Sequence, residues 1–297
     1  MNEPFLNSEE LRHYAFAVAD AGMAEHLPDG LITERLVPNN LEPSAHLMPV
    51  LIDLNRSPSD RLDALSVQIR DACENAEVPS VALFIKTKAG IREIARHWNA
   101  MQLAQPQPGR KLWLRLHDPR VLHQMLRILD PMQRRRLFGL SLGLTYWIDG
   151  AWLTAERDAD FQAYGHASPN DGVKPYAGPA RWNWPRIERI GLVNRALHGA
   201  GIWQAAMLSI SGALAEQLMD RAAERHGLVA QPDLIEFATR GLMTHIAFDD
   251  HPAVARVLKP DATSTEPSSL ADRLALIQEY VWNELRQPEK LPQESGR

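Results

Sequence analysis

Two short stretches of the chain set histidines beside carboxylates, the pairing on which general acid–base and metal chemistry are built. One is His117-Asp118-Pro119-Arg120; the other is His245-x-x-x-Asp249-Asp250-His251. In both, the neighbouring residues offer the acids a plainer job. Asp-Pro is how many helices begin: the carboxylate accepts from free amides of the first turn, and the amide that proline lacks would be unpaired there anyway. Adjacent side chains rarely orient one another, so His117 and Asp118 read first as structure and second as a functional surface. Pro252 stops or restarts a helix, which makes Asp249 or Asp250 a cap and sets His245 on an apolar face with Leu242 and Ile246. No metal is expected at this cluster, no catalytic residue is assigned, and no cofactor is expected.

Other catalytic signatures do not appear. The first apolar run leads into Asp20-Ala21-Gly22-Met23, which has neither dinucleotide-binding nor phosphate-loop spacing. Ser209-Ile210-Ser211-Gly212 lies inside a helical pattern, away from the strand-to-helix turn that a serine nucleophile needs. Arg134-Arg135-Arg136 would point about 100° apart around a helix, so the triplet reads as a solvated face with no single pocket. The single cysteine, Cys73, falls in the stripe Leu62, Leu65, Ile69, Cys73, Ala76 and reads as an inert, buried thiol.

The elements that must position these residues divide the chain in two. At 297 residues it exceeds what one core usually fills. The expected fold class is an α/β N-terminal lobe, with a mixed or parallel sheet and flanking helices, followed by an all-α C-terminal lobe. In residues 1–157 apolar runs (Tyr14–Ala19, Met48–Leu54, Val81–Ile85, Leu112–Leu116, and one within Leu140–Ile148) alternate with amphipathic stretches. Helix starts are marked at Ser57-Pro58-Ser59-Asp60, with the hydroxyl as cap, at Asp118-Pro119, and at Asp130-Pro131 with Gln133 completing a capping box. Residues 158–185, dense in proline and glycine, read as a linker. Residues 186–297 read as helical. Trp203, Met207, Ile210, Leu214 and Leu218 share one face; Gly227 ends that helix; and Leu270, Leu274, Ile277, Val281 and Leu285 form one last stripe.

Lys111 to Leu129 (KLWLRLHDPRVLHQMLRIL) resembles the central stretch of the effector-adaptor chaperones of type VI secretion, in which an apolar strand with an internal arginine leads into Asp-Pro-Arg-Val-Leu. The matching positions are Arg115, Asp118, Pro119, Arg120, Val121 and Leu122. Tyr14 to Asp20, Pro49 to Leu54 and the helix carrying Trp98 are similar to that family's preceding elements, and Phe248 to Val254 to a turn of its helical extension. The resemblance implies a non-enzymatic protein that holds a secreted effector and passes it to the spike protein VgrG in the cytoplasm. Arg115, Asp118, Pro119 and Arg120 would then be architectural.

Net charge of −5, from 32 basic and 37 acidic residues, gives no electrostatic reason to bind nucleic acid. No apolar run approaches membrane-spanning length, and the N-terminus does not read as a secretory signal. The expected partners are proteins: an effector and VgrG, with neither nucleic acid nor membrane. Arg181, Trp182, Trp184 and Trp203 are the candidate contact residues, since arginine and tryptophan dominate binding hot spots. The alternatives are an enzyme with a site near His117 or His245, and an immunity-type or scaffold binder.

Overall fold

The computed structural model describes residues 7–39, 41–75, 77–157, 182–259 and 269–286. Arg181, Ala76, most of the 158–185 segment and all but the last residue of the break at 260–269 lie outside them. The chain divides into two compact units, Met1–Ile187 and Glu188–Arg297.

The first unit is built on a six-stranded sheet of order β2-β3-β1-β4-β7-β8. Its strands are β1 (Phe16–Ala19), β2 (Thr33–Arg35), β3 (Val50–Asp53), β4 (Leu83–Thr87), β7 (Ser141–Ile148) and β8 (Ala151–Glu156). A separate ribbon pairs β5 (Leu103–Gln107) with β6 (Arg110–Trp113). The α/β class holds, but the expected mixed or parallel pairing does not: every strand pair among the described residues is antiparallel. The reason is an insertion. β3 and β4 run in the same direction and are joined by α2 (Ser59–Glu74), as a parallel crossover would be, yet β1 lies between them and opposes both. A helix between two apolar runs announces the crossover and not the strand that splits it.

β1 and β3 are buried at every position because both sheet faces are covered. Ala17, Ala19, Ile52, Leu54 and Phe84 pack with Leu62, Leu65 and Ile69 of α2, and Cys73 rests against that cluster. Cys73 is only half-buried, where a buried thiol was expected, and that burial pushes its thiol up from its ordinary value. By the alternation of a strand, Phe16 and Val18 turn to the opposite face. Helices α4 (Pro119–Ile128) and α5 (Pro131–Phe138) contact β7, and α3 (Ile91–Gln102) leads directly into β5.

In the first unit the marked helix starts follow the sequence with one exception. Asp118 and Asp130 cap α4 and α5, and Gln133 closes the box with Asp130. Ser57 is not a cap: α2 starts at Ser59. The buried Ser57 hydroxyl instead donates to Asp53 O (2.6 Å) and accepts from Ile32 N (2.9 Å).

The second unit is helical in its described residues. It holds α7 (Ile190–Gly199), α8 (Ala205–His226), α9 (Gln231–Met243), α10 (Pro252–Leu258), α11 (Leu270–Ala275) and α12 (Glu279–Leu285); a short α6 (Trp184–Glu188) crosses the boundary. Gly227 ends α8 in the left-handed conformation, as expected (φ 65°). α8 and α9 approach so closely that a Cβ on Gly241 would lie 2.6 Å from Leu218 Cδ2. The last stripe is buried throughout, but it belongs to two helices, α11 and α12, broken at Leu276–Gln278.

One correction bears on function. The face of α8 that packs inward runs through Leu208, Ser211, Gly212, Ala215, Met219 and Ala222, joined by Leu218. Met207 (45% exposed) and Ile210 (61% exposed) face solvent. Apolar spacing placed Leu218 on the inner face correctly but Met207 and Ile210 wrongly, because the buried positions Ser211, Gly212 and Ala215 are small and leave little hydrophobic signal.

Candidate functional site

Asp20 leaves the end of β1, while Arg115 and His117 stand in the loop between β6 and α4. That loop is tightened by Leu114 N donating to Gln102 O (2.7 Å) and Asp118 N to Arg115 O (2.9 Å). It therefore follows the short ribbon strand β6, where the apolar run Leu112–Leu116 had suggested a longer strand. Asp20 Oδ2 accepts from Arg115 Nη2 and lies 3.1 Å from His117 Nε2, and Asp20 Oδ1 accepts from Gly22 N at 2.9 Å. Trp113 packs beside both partners: its ring is 6.0 Å from that of His117, and the Arg115 guanidinium stands 5.9 Å from its centroid. Asp118 turns the other way. It caps α4 through Arg120 N (3.0 Å) and takes the Arg120 fork on both oxygens, Nε to Oδ1 at 3.0 Å and Nη2 to Oδ2 at 2.8 Å.

The electrostatics follow from these contacts. Burial works to raise the Asp20 and Asp118 carboxyls. For Asp20 the Gly22 amide, His117 and Arg115 overcome it; for Asp118 the Arg120 hydrogen bonds and charge do, and both acids end below their ordinary value. The pairing with Asp118 raises Arg120 in turn. Burial, helped by Arg115, pulls His117 down against the opposing pull of Asp20.

A general base needs a nitrogen within reach of a substrate proton. The His117 side chain is 2% exposed, with Nε2 engaged by Asp20 and Nδ1 buried without a hydrogen-bond partner among the described residues. What the arrangement does is fasten the β6–α4 loop to the end of β1. The part played by Asp20 was missed because its partners lie 95 and 97 residues away; the one signal was a carboxylate ending an apolar run.

In the second unit the His245–His251 stretch is also put to structural use, by different residues than expected. His251, not an aspartate, caps α10 (Ala253 N to Nδ1, 3.2 Å), and His245 Nδ1 accepts from Ala247 N. Asp249 is buried and accepts from Arg221 Nε (2.9 Å) and Arg225 Nη1 (3.3 Å), with His226 Nε2 at 2.8 Å. Asp250 takes the other arm of each arginine at 2.8 and 2.9 Å. The Phe237 ring packs at a tilt against those of His226 and of Phe248, the residue before Asp249. Arg221 and Arg225 are one helical turn apart, and that spacing was the available sign of a two-pronged clamp on an acidic pair.

The surface groups differ in access. Trp182 is buried, with its ring against the half-buried Trp184 (5.8 Å). Trp203 is half-buried and edge-on to His198 (4.4 Å). It precedes α8, on whose opening turns Met207, Ile210 and the half-buried Leu214 make an apolar stripe at spacings of three and four. No helix among the described residues is long and apolar enough to cross a membrane.

Residues 15–136 match the model of a domain described as a domain of unknown function, DUF4123. The match runs from the start of β1 into α5, so it takes in Asp20, Arg115, His117, Asp118 and Arg120 and leaves out β7, β8 and the helical unit. Comparisons with curated proteins and with solved structures returned no match. The Asp20–Arg115–His117 tie and the Asp118 cap both fall within the matched residues.

Proposed function

We propose that the protein is a non-enzymatic adaptor that holds a type VI secretion effector in the cytoplasm and delivers it to the spike protein VgrG. The observation that carries this reading is the domain match over residues 15–136, since it covers the opening strand, the Pro49–Leu54 run and the Asp-Pro-Arg loop on which the resemblance to the effector adaptors rests. The geometry is in keeping with it. The histidines and acids that could have done chemistry are spent on loop and helix fastening, while α8 turns an apolar stripe outward. Trp203, Met207 and Ile210, all in the second unit, are the contact residues this reading favours.

The three–four spacing of Met207, Ile210 and Leu214 suits packing against a partner helix. Titration calorimetry tests the reading, using the VgrG and the effector candidates encoded by the same host. Saturable binding of an effector and of VgrG is the expected result. No binding to either, together with a substrate turnover that His117→Ala or His245→Ala abolishes, would replace the adaptor with an enzyme.

A further inference from the structure

Two turns on one edge of the main sheet enclose a pocket of about 420 Å³. β3 and β4 run in the same direction, each leads into a helix (α2 and α3), and β1 starts between them. Asp53 and Arg56 line the pocket from the β3–α2 turn, and Lys88 and Gly90 from the β4–α3 turn; Phe16 and Ile91 give it apolar walls. The crevice beyond the carboxyl ends of strands, beside helix starts, is where α/β sheets commonly take small molecules. Both turns are fixed by the protein's own bonds. Arg12 donates from Nη1 to Leu54 O (2.8 Å) and Asn55 O (3.0 Å), and from Nη2 to Ser57 O (3.0 Å). Thr87 Oγ1 donates to Leu140 O (2.8 Å) and accepts from Ala89 N (3.1 Å). A site ordered in advance loses little freedom on binding.

The groups that line it are incompletely used. Asp53 is 4% exposed; its Oδ1 accepts from Arg56 N (3.0 Å), while its Oδ2 has no hydrogen-bond partner among the described residues. A buried carboxylate oxygen calls for a donor. Arg56 and Lys88 are exposed, and neither side chain makes a hydrogen bond or ion pair among the described residues. Glu93 turns back onto Gly90 N (2.9 Å), and the next amides of α3, those of Ile91 and Arg92, have no partner among the described residues. We infer that this pocket binds a small free sugar or polyol phosphate, with a hydroxyl donating to Asp53 and the phosphate held by Arg56, Lys88 and the start of α3. Charge selects this class. Two cations against one carboxylate leave a surplus of one positive charge. A zwitterion would leave that surplus standing, and a simple anion would leave Asp53 without a donor. A phosphate monoester, with a charge of about −1.5 to −2 near neutral pH, answers the cations and the helix start, and its neutral hydroxyl answers Asp53. The inference is independent of the adaptor reading.

The test is titration calorimetry of the full-length protein with ribose 5-phosphate, glycerol 3-phosphate and inorganic phosphate. At least one of the two monoesters should bind roughly ten-fold more tightly than inorganic phosphate. Arg56→Ala and Lys88→Ala, both at exposed positions, should each weaken that monoester by roughly ten-fold. Asp53→Asn keeps an oxygen for Arg56 N but removes the charge. It should tighten inorganic phosphate and narrow the preference for the monoester, whereas a purely structural Asp53 would leave the ratio of the two affinities unchanged. Neither monoester binding better than inorganic phosphate, affinity unchanged in both Arg56→Ala and Lys88→Ala, or an unchanged ratio in folded Asp53→Asn would overturn the assignment.

Discussion

The two units solve the same problem with opposite degrees of burial. Each sets a histidine and carboxylates against arginines and uses the set to fasten a turn. In the helical unit Asp249 has no exposed side-chain surface, and two arginines and a histidine converge on one of its oxygens. In the sheet unit Asp20 is 43% exposed, and its carboxylate meets one arginine and one buried histidine. A charge taken wholly out of water must be paired or it becomes a large liability, whereas an exposed pair gains little because water competes for it. The difference teaches that a histidine–carboxylate cluster in sequence announces a fastening more readily than a reaction, and that burial decides how much the fastening matters.

The comparison is broken most forcefully at Asp249. Asp249→Ala should cost about 3 kcal/mol, the low end for breaking a buried pair, because Asp250 still holds both arginines. Amide exchange resolved by segment should localise the loss to the end of α8 and the 248–258 turn. A loss below about 1 kcal/mol would mean that the pair is not a fastening. Asp118 comes next. Asp118→Ala removes a cap and the Arg120 fork and should cost about 1–2 kcal/mol, with α4 fraying first. Asp118→Asn should recover part of that loss, since its amide oxygen can still cap.

Acid sharpens the contrast. His97, His117 and His123 all lie in the first unit, and burial holds each below the ordinary 6.5; for His117 and His123 a nearby arginine adds to it. A depressed histidine favours the native state while both forms are neutral. That stability is complete above about pH 6.5 and is lost as pH falls toward the folded-state values, because the unfolded chain takes up protons first. The first unit should therefore lose melting temperature between neutrality and pH 5. Asp20, Asp118 and Asp250 are depressed acids. They act at lower pH: their contribution is present above about pH 4 and lost below it. A first-unit melting transition flat from pH 7 to 5 would contradict the burial of these rings.

The mildest change is at Asp20. Asp20→Asn should cost less than about 1 kcal/mol, as befits a half-exposed pair. A larger cost would mean that the His117 contact matters more than its partner's exposure suggests.

Much of the sheet unit was legible because its central strands are covered on both faces and read as unbroken apolar runs. Two hairpins were missed although their turns are written plainly. Asp149-Gly150 joins β7 to β8 with φ of 41° and 79°, and Pro108-Gly109, with Gly109 at 81°, joins β5 to β6. β8 has a single buried face at most and β5 carries a proline, so neither shows the apolar run that marked the others. The clusters were legible as residue types and illegible as partners: Asp20 with His117, and Asp249 with Arg221, meet only when distant elements pack. On α8, glycine, serine and alanine at the buried contact hid the true inner face and lent its place to the more apolar outer one.

That outer face gives the most direct measurement of the account. Tagged wild-type protein and its Ile210→Glu variant would be recovered from the native host, and the proteins captured with each identified and quantified by mass spectrometry. Ile210 is 61% exposed, so its replacement should change stability by no more than about 0.5 kcal/mol. The account predicts that an effector and VgrG accompany the wild type and that at least one of them is lost with the variant, while Asp20→Asn retains both. Capture of neither protein by the folded wild type would contradict it.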